Sequence, residues 1–144
     1  MKYYHVLILV FVFIASSNFY MDSRKVSIYI NEYDYSFTPQ KNDCIDTLVK
    51  MTNDGRELKI ILFDCKGKMH LECFKNRKKI EEGDYSNSLD LLKKYINTID
   101  GITGVQRVKV YEFYQPLRLG VWSFYDGNGK LLRKEVYKEG VKQK

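Results

Sequence analysis

Histidine, proline, cysteine and tryptophan are all scarce in this chain of 144 residues, with 2, 2, 3 and 1 of each. The shortage of proline, beside 44% hydrophobic residues, excludes a disordered chain, because there is enough apolar side chain to build a core. The shortage of histidine narrows the chemistry. Beyond the first 17 residues only His70 remains, and serine– or cysteine–histidine catalysis needs a base within hydrogen-bond reach of the nucleophile. His70 sits in a strand-like segment without a supporting motif. Glu81 and Glu82 are adjacent, so in a strand they face opposite sides and cannot act as a carboxylate pair. Glycine appears as turn punctuation, not as a phosphate-cradling loop. No catalytic residue, cofactor site or metal site is therefore expected. The three cysteines, Cys44, Cys65 and Cys73, allow at most one intrachain disulfide and leave one thiol over. Their spacing does not suit a metal.

Long apolar runs are also lacking, except for residues 6–14 near the start. Lys2 precedes that run, and Ala15, Ser16 and Ser17 follow it. The pattern predicts a signal peptide over residues 1–17 and a mature domain over 18–144. An N-terminal membrane anchor is the alternative, since no charge intervenes between Lys2 and Asp22. No cysteine follows the run, so a lipoprotein signal is absent. The protein is expected to be exported, either periplasmic or secreted.

What is abundant points to strands. Tyr and Phe number 12 and 8, and these residues with Val and Ile fit a pleated, half-buried surface. Residues 26–30, 33–37, 47–51, 58–63, 69–74, 80–85, 105–114, 121–125 and 131–137 read as strands. Segment 58–63 lacks alternation, which suggests burial on both faces. Residues 76–79 read as a polar basic loop and 141–144 as a polar tail. Between the strands, Leu89, Leu92, Ile96 and Ile99 recur at spacings of three and four. With N-cap candidates at 86–88 and Gly101 as a stop, this predicts one helix over about residues 88–99, packed against the sheet.

Three turns share a pattern: Gly55-Arg56, Gly67-Lys68 and Gly129-Lys130. Phe63-Asp64-x-x-Gly67-Lys68-Met69 also matches Tyr125-Asp126-x-x-Gly129-Lys130-Leu131, aromatic for aromatic and apolar for apolar. Gly120-x-Trp122-x-x-Tyr125-Asp126-x-x-Gly129-Lys130-Leu131, with Tyr137-x-x-Gly140 after it, resembles the bacterial variant of the MORN repeat. The best copy spans residues 120–140. The resemblance implies stacked antiparallel hairpins, hence a mainly β domain with α+β character from the one helix. It also implies binding or scaffolding, with Gly67, Gly120, Trp122, Tyr125, Asp126, Gly129 and Lys130 as structural signature residues. Bacterial relatives of this kind are often labelled antitoxin-like, and that role stands as a further alternative.

Charge is uneven along the chain. Residues 18–57 hold 5 basic and 7 acidic residues, a net of −2, whereas 58–144 hold 18 and 11, a net of +7. Lys75, Arg77, Lys78 and Lys79 form the densest basic cluster. Its expected contact is with anionic lipid headgroups or polyanions at the cell surface, and not with nucleic acid, since no nucleic-acid motif accompanies it. The leading expectation is a non-enzymatic envelope protein whose repeat sheet binds another envelope protein.

Overall fold

The computed structural model describes residues 26–144. The expected signal segment lies outside them. Among the described residues eleven strands make two sheets, and the hairpin turns seen in the sequence set the larger one. β3 (Asp46–Met51), β4 (Glu57–Leu62), β5 (Met69–Lys75) and β6 (Lys78–Ser86) follow one another as an antiparallel meander. β6 then pairs not with the next strand but with β9 (Leu117–Tyr125), which continues to β10 (Leu131–Lys138) and β11 (Val141–Lys142). The order across the seven-stranded sheet is β11-β10-β9-β6-β5-β4-β3.

One device closes three of these turns. The side chain at the first turn position accepts from the backbone N–H of the basic residue four positions on: Thr52 Oγ1 from Arg56 (3.0 Å), Asp64 Oδ1 from Lys68 (2.9 Å) and Asp126 Oδ1 from Lys130 (2.9 Å). The glycine between them has φ of +78°, +96° and +82° in turn, a region that costs other residues about 1–2 kcal/mol. The repeated Gly-basic pattern is thus a repeated backbone geometry.

The smaller sheet has the order β2-β1-β8-β7. It joins β1 (Ser27–Ile30) and β2 (Tyr35–Phe37), with a 3-10 turn at Asn31–Tyr33 between them, to the hairpin of β7 (Leu91–Ile99) and β8 (Gln106–Tyr114). Its β1–β8 pairing, Ser27 with Phe113 and Ile28 with Tyr114, is parallel. Ile28, Ile30, Tyr33 and Phe37 from this unit cover one face of the large sheet and meet Leu58, Ile60, Leu62, Met69, Leu71, Cys73, Tyr85 and Trp122 in a single core. Each such aliphatic side chain, fully buried, contributes roughly 1.5–3 kcal/mol. A disulfide between Cys44 and Cys65, 21 residues apart, ties the segment after β2 to the β4–β5 turn. Cys73 is the thiol left over, and it is buried.

The mainly β reading and the antiparallel hairpins hold, and four expectations are corrected. The helix expected over 88–99 is not formed: β7 occupies that stretch, paired residue for residue with β8 from Leu91–Tyr114 to Ile99–Gln106. The segment expected to be buried on both faces, now β4, buries Leu58, Ile60 and Leu62 on one face and leaves Lys59 and Ile61 partly exposed on the other. The expected basic loop at 76–79 is a tight turn, with Asn76 and Arg77 at positive φ, while Lys78 and Lys79 already belong to β6. The expected tail contains β11, paired with β10.

Candidate functional site

The two faces of the large sheet differ in chemistry. On the covered face, Trp122 is completely buried, its Nε1 donating to the Asp84 carbonyl at 3.1 Å. Tyr85 meets it edge to face with ring centroids 5.1 Å apart. Gly83 lies so close beneath the indole that a Cβ there would come within 2.4 Å of the ring. The other side of the indole carries a cation, with the Arg118 guanidinium carbon 3.9 Å from the ring centroid. Arg118 donates to Glu81 Oε2 at 2.9 Å and has its Nε 3.4 Å from Glu32 Oε1. Glu32 in turn accepts from the Tyr85 hydroxyl at 3.2 Å. This network, buried at Arg118 and Glu81 and open at Glu32, bolts the 3-10 turn to the sheet. Arg118, Glu81, Glu32 and Gly83 were not singled out in the sequence, because β6 and β9 meet only after a thirty-residue excursion.

The opposite face is uncovered among the described residues. Its middle is a ladder of polar and charged pairs. His70 Nδ1 lies 2.7 Å from Asp84 Oδ1 across the β5–β6 pair, and Glu72 stands opposite Glu82. Lys59 donates to Glu72 at 2.8 Å, and Lys79 donates to both Glu72 and Glu82. The Tyr125 hydroxyl donates to Glu82 as well. Hydrogen bonds from Lys59 and Lys79 hold the Glu72 carboxyl below its ordinary pKa. Partial burial works against the Glu82 charge, but the bonds from Lys79 and Tyr125 outweigh it and hold that carboxyl low too. Ligand atoms of His70, Glu72 and Glu82 approach within 4.8 Å of one another, a donor set that suits a divalent cation. The Lys79 ammonium already supplies the positive charge between the two carboxylates, so a metal ion would have to displace it. Glu81 and Glu82 do point to opposite faces, one to Arg118 and the other to this ladder.

The sequence-predicted residues fall into two groups. Trp122 is core, Tyr125 belongs to the ladder, and Gly67, Asp126, Gly129 and Lys130 build turns. Gly120, at φ +69°, sits where the β6–β9 register shifts between Glu82–Ser123 and Asp84–Leu119. Of the basic cluster, Lys75, Arg77 and Lys78 are exposed around the β5–β6 turn, whereas Lys79 is held in the ladder. The four cations therefore do not form one free patch.

A cleft of about 420 Å³ lies on the outer face of the small sheet, lined by Tyr29, Phe113, Tyr111, Lys94, Ile96 and Asp34 among others. Tyr29 and Phe113 meet edge to face there, 5.7 Å between centroids, and the Tyr29 hydroxyl donates to Asp34. Among the described residues no helix is long and apolar enough to cross a membrane. Comparison with models of known families, with curated proteins and with solved structures finds no match for this chain.

Proposed function

We propose that the protein is a non-enzymatic, exported envelope protein of the MORN-like kind, and that the open face of its seven-stranded sheet docks another envelope protein. The observation that carries this reading is the composition of that face. A polar middle of internally satisfied groups, Lys59 paired to Glu72 and His70 hydrogen-bonded to Asp84, is flanked by exposed apolar side chains. Val49 and Met51 lie on β3, and Leu119 and Val121 on β9. A partly apolar patch with internally satisfied charges is the make-up of a protein–protein interface, where unpaired charge at the centre would be costly to desolvate. The same pairing disfavours catalysis, because the acids and the base are already committed to structural partners.

The test is affinity capture from envelope extracts with the wild-type chain and with a Val49→Asp, Val121→Asp variant. A partner recovered by the first and lost by the second supports the reading. If no protein is enriched by the wild type over the variant, the reading fails. A second reading rests on Lys75, Arg77 and Lys78, which share one exposed turn: contact with anionic lipid. Each basic residue near such a surface is worth about 1 kcal/mol, so binding to phosphatidylserine vesicles should weaken with salt and with neutralisation of these three. Lys79→Gln should have little effect on it.

A further inference from the structure

β7 and β8 form a hairpin that leaves the body of the protein beyond Leu91 and Tyr114. β8 protects one side of β7 along its whole length, and no strand pairs with the other side among the described residues. Nine residues of strand make an edge of about 30 Å. Proteins normally guard such edges with proline, bulges, brevity or charged side chains, lysine above all, and of these β7 carries only the adjacent Lys93 and Lys94. β7 has no proline or glycine, and its register with β8 runs without a shift. The other open edges are shorter: β1 pairs β8 only at Phe113 and Tyr114, so seven residues of β8 have no strand on that side among the described residues. β2 and β11 have three and two residues, and the β3 edge opens on Asp46, paired to Lys41 at 2.9 Å.

We propose that the β7 edge pairs antiparallel with β7 of a second copy of this chain, with Tyr95 on the two-fold axis. The sequence Leu91-Leu92-Lys93-Lys94-Tyr95-Ile96-Asn97-Thr98-Ile99 is self-complementary in that register. On one face Leu91 meets Ile99 of the second copy, Lys93 meets Asn97 and Tyr95 meets Tyr95. On the other face Leu92 meets Thr98 and Lys94 meets Ile96. No lysine opposes a lysine. Sliding the pair one step toward Leu91 would place Lys94 on Lys94, and like charges directly opposite are destabilising. Sliding it the other way sets Lys93 against Ile99 and Leu92 against Asp100. The remaining charge on the Lys93 face is balanced within each copy, since Lys93 Nζ lies 3.3 Å from Glu112.

Pairing also gives the apolar residues of the hairpin company. Tyr95 and Ile99 are 66% and 69% exposed, and Val108 and Val110 stand on the same face of β8. Joined across the axis they form one stripe, and the two four-stranded sheets become a single continuous sheet.

Sedimentation velocity on the purified protein over a concentration series tests the proposal. A monomer–dimer equilibrium is expected for the wild type. Tyr95→Lys and Tyr95→Glu each put like charges on the axis, and each should weaken association by about a hundredfold or more. Mixing the two variants in equal amounts should restore a dimer, because lysine then faces glutamate. Tyr95 is exposed, so both variants should keep the buried emission of Trp122, which certifies their fold. A wild type that stays monomeric throughout, variants that dimerise as the wild type does, or a mixture that stays monomeric would each overturn the proposal. The envelope-capture result does not bear on it, since the two surfaces are different.

Discussion

Replacing Arg118 by methionine should be strongly destabilising, and the reasoning can be checked with one intrinsic probe. The Arg118 and Glu81 side chains keep only 10% and 11% of their exposure, and they meet at 2.9 Å. Removing the cation leaves Glu81 buried without its strongest donor, and breaking a buried pair in this way costs about 3–5 kcal/mol. Methionine keeps the stem packed on the indole, so little of that loss is cavity. With a urea m-value of roughly 1–3 kcal/mol/M for a domain of this size, the midpoint should fall by about 2 M. Trp122 is the only tryptophan and fully buried, so its emission reports unfolding without a label. The discriminating measurement is the Arg118→Met, Glu81→Gln double variant. Neutralising the stranded carboxylate should return about 2 kcal/mol, a coupling that separated sites do not show. An Arg118→Met loss below about 1 kcal/mol, or a double variant as unstable as the sum of the singles, would refute the assignment of this pair as a buried tie between β6 and β9.

Gly83→Ala should destabilise by about 1–3 kcal/mol through overpacking against Trp122, visible as a lowered thermal midpoint and a changed near-ultraviolet tryptophan band. Gly55→Ala meets no atom and should cost only its positive φ, about 1–2 kcal/mol, with that band intact. Reduction of Cys44–Cys65, or Cys44→Ala with Cys65→Ala, should cost about 3 kcal/mol for a loop of this length, read from urea midpoints with and without reductant. Stability should be flat from neutral to about pH 9 and fall above it. Burial pushes the Cys73 thiol up to about 12 and raises Tyr33 and Tyr85 as well. The native state therefore holds protons that the unfolded chain releases above its ordinary values, and stability is lost as the pH rises through that window. Urea midpoints at pH 7 to 11 check this, and a midpoint that rises with pH would contradict it.

The helix expected at 88–99 failed for a reason that lies in the numbers three and four. A spacing of four, as from Leu92 to Ile96, puts two side chains on one face of a strand as well as of a helix. Only the spacings of three, Leu89 to Leu92 and Ile96 to Ile99, distinguished them. Leu89 turned out to precede the strand and to be exposed. A helical stripe also needs a surface to lie on, and this segment leads away from the core. Pairing with β8 satisfied its backbone instead, helped by Ile96, Thr98 and Ile99, whose branched side chains suit a strand. Gly101, which looked like a helix stop, follows Asp100 at the hairpin tip, where the Asp100 carboxylate accepts from Ile102 and Thr103.

The turns were legible because their chemistry is local. An Asp or Thr, three residues and a basic residue encode a loop whose hydrogen bonds close within five positions. The sites were not, because they are made by pairings the excursion conceals. Gly83 and Trp122, or Glu81 and Arg118, become neighbours only when β7 and β8 are looped out so that β6 can find β9. That same looping-out leaves β7 with a bare edge. Had residues 88–99 formed a helix lying on the sheet, as its spacing suggested, they would have covered apolar surface and offered none. As a strand they do the reverse. The segment where sequence periodicity misled is thus the one whose backbone is least satisfied within the described chain, and on physical grounds it is the first place to look for a partner.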